Sequence, residues 1–299
     1  MLKQVRAAGF LKDVNDNFNL LDIQAGTDFF VDGNAGDDTN GGTSWADAFA
    51  SLSVALAASH ANIADSAFGW TARNRIWLKD DEVEEDLVLL ADKTDVIGVG
   101  SYDRNTKARI KGNHVPVGEF MGTRFINCHF LVPDAGGDIW TLPTTLSGIS
   151  FLDCTFDAVN TAGATGAIVA TAVESLSIER CKFVGAYSDA VIEIAGAENN
   201  GLFIADNFVM GANDGIELKS TVTCTVRPIY IVRNYVNTTT ICINDASGKA
   251  YVHDNRCVTA NAKGTAGAGA IVAGAKMMLQ NYISTSDAAN AIVPANASL

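Results

Sequence analysis

A short pattern recurs along this chain at a nearly constant interval. Phe125-Ile126-Asn127-Cys128-His129-Phe130 aligns with Phe151-Leu152-Asp153-Cys154-Thr155-Phe156. It aligns again with Ser177-Ile178-Glu179-Arg180-Cys181-Lys182-Phe183 and with Ile204-Ala205-Asp206-Asn207-Phe208-Val209. Ile231 to Val236, Val252 to Cys257 and Met278 to Ile283 continue the series. The position held by Cys or Asn falls at Cys128, Cys154, Cys181, Asn207, Asn234, Asn255 and Asn281, in steps of 26, 27, 26, 27, 21 and 26 residues. A second apolar run follows in most units, as in Ile168-Val169, Ala190-Val191-Ile192, Gly215-Ile216-Glu217-Leu218, Ile241-Cys242-Ile243 and Ile271-Val272. Several short strands per fixed period mean stacked coils, not a sandwich. The expected class is all-β: a right-handed single-stranded parallel β-helix, with coils from about 75 to 290.

Stacking puts like positions about 4.8 Å apart along the axis. Phe130, Phe156 and Phe183 then line up inside. Asn207, Asn234, Asn255 and Asn281 form an amide ladder at a turn, each side chain bonding its neighbours. Cys128, Cys154 and Cys181 share that column and are read as buried thiols standing in for Asn. A disulfide between neighbouring coils is open on distance alone; free thiols are the expectation for a chain made in the cytoplasm.

Two segments precede the coils. In residues 1–27, Leu11, Val14, Phe18 and Leu21 make a heptad-like seam. The stretch is too short for a stable helix by itself, so it is read as a helical arm that anchors or oligomerises. The domain proper is read as 28–299. It opens on Phe29-Phe30-Val31, a turn cluster from Asp32 to Gly42, and the capping box Ser44 to Asp47. The box predicts a helix over 45–58, with Trp45, Phe49, Leu52 and Leu56 on one face, covering the first coil. Arg75 to Leu78, Leu87 to Leu89 and Val96 to Gly100 then read as the three strands of that coil.

The stretch Phe29-Phe30-Val31-Asp32-Gly33 through Gly36-Asp37-Asp38, Gly42-Thr43-Ser44-Trp45 and Ala48-Phe49 to Leu56 resembles the opening of many pectate-lyase-like parallel β-helix proteins. Ala48 stands where members often carry Pro. The resemblance covers about thirty residues and implies the fold. Members include lyases, hydrolases, epimerases and phage spikes, so it leaves function open.

Composition excludes other classes. Hydrophobic residues are 48% and charged residues 18% of 299, which rules out a disordered chain. A net charge of −13 without a basic stripe excludes nucleic acid as partner, and disfavours an acidic polysaccharide unless a cation bridges it. No apolar run reaches the length of a membrane span, and the opening Met1 to Arg6 lacks the apolar core of a signal peptide. With six cysteines and no CxxC pair, a zinc site is not expected. His60, His114, His129 and His253 are scattered, with His129 and His253 expected to face solvent.

For chemistry, the best candidates are Asp189, Glu193, Asp214, Glu217 and Lys219. Asp189 and Asp214 are read as equivalent points in successive coils, about 5 Å apart, a separation that suits a retaining glycosidase. Turn formation by the Asp residues and a solvated Glu217–Lys219 pair account for the same residues without catalysis. The resemblance to polygalacturonase-like enzymes implies an Asp-Asp pair and a Gly-His-Gly, and neither stands near Asp214. A pectate-lyase-like site implies an Arg beside an acidic triad, whereas Arg180 and Arg233 fall in the ladder column. Asp32, Asp37 and Asp38, with Asn34 and Asn40, are candidate Ca²⁺ ligands, or turn formers. Asn237 to Thr240 read as a polar turn.

These observations favour a non-enzymatic structural protein of a phage particle, a capsid decoration protein or short spike. It would be made in the host cytoplasm, attached to the capsid shell through the arm, and homotrimeric. The alternatives are a polysaccharide lyase or hydrolase using Asp189, Asp214 and Glu217, and a carbohydrate-binding adhesin with outer aromatics, for which Trp140 and Tyr187 are the hints.

Overall fold

The computed structural model describes residues 26–65, 72–100, 108–143, 146–159, 163–259, 271–273, 277–279, 281–285 and 293–294. The described chain winds through three long sheets, which we call A, B and C. Sheet A has ten strands, all parallel, from Asp28–Val31 and Asn74–Leu78 through Arg124–Ile126, Ser150–Leu152, Ser177–Glu179 and Phe203–Ala205 to Met277–Leu279. Sheet B also has ten, from Glu82–Glu84 through His129–Leu131, Thr155–Ala158, Lys182–Gly185, Phe208–Ala212, Tyr235–Thr238 and Arg256–Thr259. Its last strand, Val293–Pro294, turns back antiparallel on Tyr282–Thr285. Sheet C has six, including Trp140–Leu142, Ile168–Thr171, Ala190–Ala195, Asp214–Leu218 and Ile243–Asp245. The fold is therefore a parallel β-solenoid. The seam residues Leu11, Val14, Phe18 and Leu21 lie outside the described residues. Thr27 is already tied to the first coil, its N–H donating to Asn74 Oδ1 at 2.7 Å.

Most strands are three to five residues long because each coil side needs only one or two inward side chains. In sheet A the inward position holds Phe125, Phe151, Ile178, Ile204, Ile231 and Val252 in register, all fully buried. In sheet B, Phe130, Phe156 and Phe183 stack with centroids 5.1 and 4.6 Å apart and planes 24° and 8° from parallel. Offset stacking of this kind adds to the area term.

The corner from sheet A to sheet B repeats one device. Asn127, Asp153, Arg180, Asp206, Arg233 and Asp254 all sit in the left-handed region, with φ between 52° and 58°. That conformation costs a non-glycine residue energy, and the next residue offsets it. Asn207, Asn234 and Asn255 each donate one Nδ2–H to Oδ1 of the Asn one coil on, at 2.9 to 3.0 Å. The other Nδ2–H goes back to the carbonyl of Ile178, Ile204 or Ile231. Each Oδ1 also accepts the backbone N–H of the preceding coil: Cys181 to Asn207, Asn207 to Asn234, Asn234 to Asn255, and Asn255 to Asn281. Cys154 and Cys181 keep the backward bond, their thiols directed at the Phe125 and Phe151 carbonyls at 3.4 and 3.3 Å. Cys128 does the same more loosely, to Val96. None of the six cysteines is in a disulfide. A hydrogen bond to Cys154 and burial hold the Cys128 thiol well above the ordinary range. For Cys181, burial is the first cause and Cys154 the second.

The beginning of the solenoid departs from the sequence reading. The single described α-helix, α1, spans Leu52–Asp65, not 45–58. Ser44 makes no side-chain cap, and Trp45–Asp47 is one 3₁₀ turn. Asp47 instead accepts from Gly41 N–H and the Thr43 hydroxyl, closing the loop on itself. The start of α1 is capped from a distance: Glu85 takes the N–H groups of Leu52 and Ser53 at 2.6 and 3.0 Å. A carboxylate there also suits the helix dipole. Leu52, Ala55, Leu56 and Ile63 form the buried face, while Trp45 is exposed and packs edge-on against Phe30. Asn74–Leu78 and Thr94–Gly98 are neighbours within sheet A, so they belong to successive coils. Leu87 to Leu89 is a loop in which Leu87 is buried and Val88 exposed.

His114 and His129 are both buried, so His129 does not face solvent. His129 Nε2 lies 3.3 Å from Asp157. His114 Nδ1 accepts the Leu87 N–H, and its ring lies 4.5 Å from that of Trp140.

Replacing Asn234 with Ala strands the N–H and one Nδ2–H of Asn207 and takes the side-chain donor from the Ile204 carbonyl and from Asn255 Oδ1. We expect a loss of about 3–5 kcal/mol in urea denaturation, against about 1 kcal/mol for Cys154→Ala. Burial lowers the His114 pKa from 6.5 to about 3. Between those values the unfolded chain binds a proton that the native chain does not. Stability therefore falls as pH drops from 6.5 toward 3, by up to about 1.4 kcal/mol per unit. His114→Asn, which keeps an acceptor for Leu87, should flatten that slope in melts taken from pH 7 to pH 4.

Candidate functional site

Sheet C carries the acidic candidates on its outer face. The alternation of Ala190–Ala195 and Asp214–Leu218 points Ile192, Ile194, Ile216 and Leu218 inward, and Glu193 and Glu217 outward. The register pairs Glu193 with Glu217 directly, one rung apart. Asp189, at the corner before the first of these strands, completes the group. One oxygen from each of the three carboxylates lies within 4.8 Å of the others. Among the described residues this is the one place where three acidic, His or Cys ligand atoms converge.

The pairing of Asp189 with Asp214 does not hold. Asp214 is opposite Ala190, one residue out of the register that the sequence suggested. Its carboxylate is used at the corner, where it accepts from the Thr240 hydroxyl and, at 3.0 Å, from the Ile241 N–H. Asp214 is therefore a turn former, and Glu193 takes its place in the cluster. Glu193 is among the five residues that the sequence singles out, but the sequence pairs Asp189 with Asp214 and not Glu193 with Glu217.

Lys219 sits between the two glutamates, 2.6 Å from Glu217 and 3.2 Å from Glu193. Asn244, the next rung after Glu217, donates to its other oxygen at 3.1 Å. Burial works against the Lys219 charge, but its hydrogen bonds to Glu217 and Glu193 outweigh it and raise its pKa. Asp189 is exposed and holds the Ala190 N–H. Chemically, two of the three carboxylates share one ammonium of the chain itself. A hydrolytic pair needs one free acid and one free base; a cation site needs carboxylates not already serving a lysine.

The proposed calcium loop is likewise occupied from within. Asp32 accepts from Asn34 N–H, Ala35 N–H and Lys79. Asp37 accepts from the Thr39 N–H and hydroxyl. Asp38 accepts from Ala50, Ser51 N–H and the Ser51 hydroxyl. These carboxylates shape the loop and do not converge on a common point.

Both aromatic hints are core residues: Trp140 and Tyr187 are buried. The Tyr187 phenol is pushed well up by burial and by the Asp157 charge. Aromatics do lie outward elsewhere. Phe208 and Tyr235 stack at 5.0 Å on sheet B, and Tyr230 and Tyr251 at 5.4 Å on sheet A. Arg180 and Arg233 pair with Asp153 and Asp206, one coil back, each through two hydrogen bonds. No described helix is long and apolar enough to cross a membrane.

Comparison with protein-family models, with curated proteins and with solved structures finds no match.

Stabilisation from the raised Lys219 pKa is complete below its ordinary value of 10.5 and lost as pH rises through the raised one. Melts of Lys219→Met should lack that alkaline loss. At neutral pH the variant leaves Glu193 and Glu217 in mutual repulsion, so its melting temperature should lie below that of the unchanged protein.

Proposed function

We propose that this chain is a non-enzymatic structural protein of a phage particle, a capsid decoration protein or short spike. It would be made in the host cytoplasm and joined to the capsid shell through residues 1–27. The observation that supports it is the internal use of Glu193, Glu217 and Asp214. Glu193 and Glu217 bind Lys219, and Asp214 binds its own corner. Such a rod works through its surface and its length, and a solenoid supplies both.

A second reading, cleavage of a surface glycan, has one observation in its favour: the convergence of Asp189, Glu193 and Glu217 on an outer sheet face. Close carboxylates on adjacent rungs are near the separation that retaining glycosidases use. It requires Lys219 to leave at least one glutamate when substrate arrives.

Quantitative mass spectrometry of purified particles from the source tests the first reading. Many copies in fixed ratio to the capsid protein are expected for decoration, and a few copies for a spike. Absence from particles would overturn it. For the second reading, any release of reducing ends from a surface glycan should fall at least about a thousandfold in Glu217→Gln; unchanged release would remove Glu217 from the chemistry.

A further inference from the structure

The outer face of sheet B is built unlike the rest of the surface. Lys182, Phe208, Tyr235 and Arg256 occupy one outward column on four successive rungs. Phe208 and Tyr235 stack with planes 8° apart, and the Arg256 guanidinium lies 5.5 Å from the Tyr235 ring centre. Beside them Met210 is 40% exposed and Phe208 37%. Lys182 and Arg256 have no carboxylate partner among the described residues, whereas the neighbouring Arg180 and Arg233 do. The face therefore offers an apolar, aromatic centre between two uncompensated cations. Aromatic residues, Met and Arg are the types enriched where proteins meet.

The orientation of the rings selects among partners. A sugar binds an aromatic side chain through its face. Here Phe208 and Tyr235 cover one face of each other, and Arg256 covers the second face of Tyr235. Mostly edges remain, and these suit side chains of another protein better than a pyranose ring.

The complementary surface is on the same chain. Asp189, Glu193 and Glu217 against Lys219 leave sheet C two negative charges in excess, matching the two free cations of sheet B. The two faces also overlap in level: Lys182 and Phe208 share the two coils of the acidic group, while Tyr235 and Arg256 lie one and two coils beyond it. Lys182–Gly185 and Ala190–Ala195 belong to one coil, and Phe208–Ala212 and Asp214–Leu218 to the next. That overlap brings Lys182 and Phe208 against the acidic group with no slide along the axis, as ring closure in a cyclic oligomer requires, and leaves Arg256 at the edge of the contact.

We infer that the aromatic face of sheet B, with Lys182, Phe208, Met210 and Arg256, docks on the acidic face of sheet C of a second copy of this chain. The contact is heterologous and electrostatically oriented. Salt weakens it because the charged groups are at the rim.

Sedimentation of the full chain over a concentration series tests the inference. Reversible self-association is expected, weakening as salt is raised from 50 to about 500 mM. Lys182→Asp/Arg256→Asp should weaken it by about tenfold or more, as should Asp189→Lys on the opposite face. Mixing the two variants should restore association, because the intact sheet B of Asp189→Lys then meets the intact sheet C of the double variant. Circular dichroism melts check that both variants fold. A chain that stays monomeric throughout, or an assembly indifferent to both variants, would overturn the inference. So would variants that fail to rescue each other, or a face that captures a glycan while the chain stays monomeric.

Discussion

The corner between sheets A and B is the constraint on which the solenoid depends. Strands can satisfy their backbone groups through the ladders on either side, but a sharp corner cannot, and buried N–H groups need partners. A left-handed residue makes the turn, and the side chain that follows it supplies the missing hydrogen bonds. An asparagine amide does so in both directions at once, holding the coil before and the coil after. The stacking of one corner therefore sets the register of the three strands that leave it.

Thiols do less in the same column. Cys154 and Cys181 reach back to a carbonyl but offer no strong acceptor to the next coil. The coils with Cys are also those whose interiors hold Phe125, Phe130, Phe151, Phe156 and Phe183. Where the column turns to Asn, sheet B's interior narrows to Val209, Val236 and Cys257. Burying large rings supplies area in the coils whose corners are bound more weakly. Charge follows the same rung logic outside. Asp28, Arg75, Asp95 and Arg124 alternate in one column of sheet A, and Asp153–Arg180 and Asp206–Arg233 alternate along the corner. Exposed pairs of this kind add little stability, but displaced by one coil they would set like charge against like, so they favour a single register.

Parallel sheets, the Phe130 stack and the Cys/Asn column could be read from sequence because a period of 26 or 27 residues samples the same environment repeatedly. What could not be read lies where the period gives no help. The first coils have no repeat, so Leu87 to Leu89 looked like a strand when only Leu87 is needed inside. Ser44 matched a helix cap by composition, yet Asp47 folded back to the loop and Glu85, over thirty residues on, capped α1. In the acidic cluster, a shift of one residue took Asp214 out of the group, because Asp189 and Asp214 both precede small residues at corners. Trp140, Tyr187 and His129 were misplaced for a related reason: near a corner, alternation no longer tells inward from outward.

The central claim is that the side-chain column carries the corners. Hydrogen exchange on the backbone amides of Cys181, Asn207, Asn234 and Asn255 tests it most directly. Each of these N–H groups is at a turn, and its acceptor is the amide oxygen of the next Asn in the column. Exchange as slow as that of the central strands of sheets A and B is the predicted result. Exchange at the rate of ordinary solvent-facing turns would mean that the corners open independently and that the column follows the fold instead of holding it.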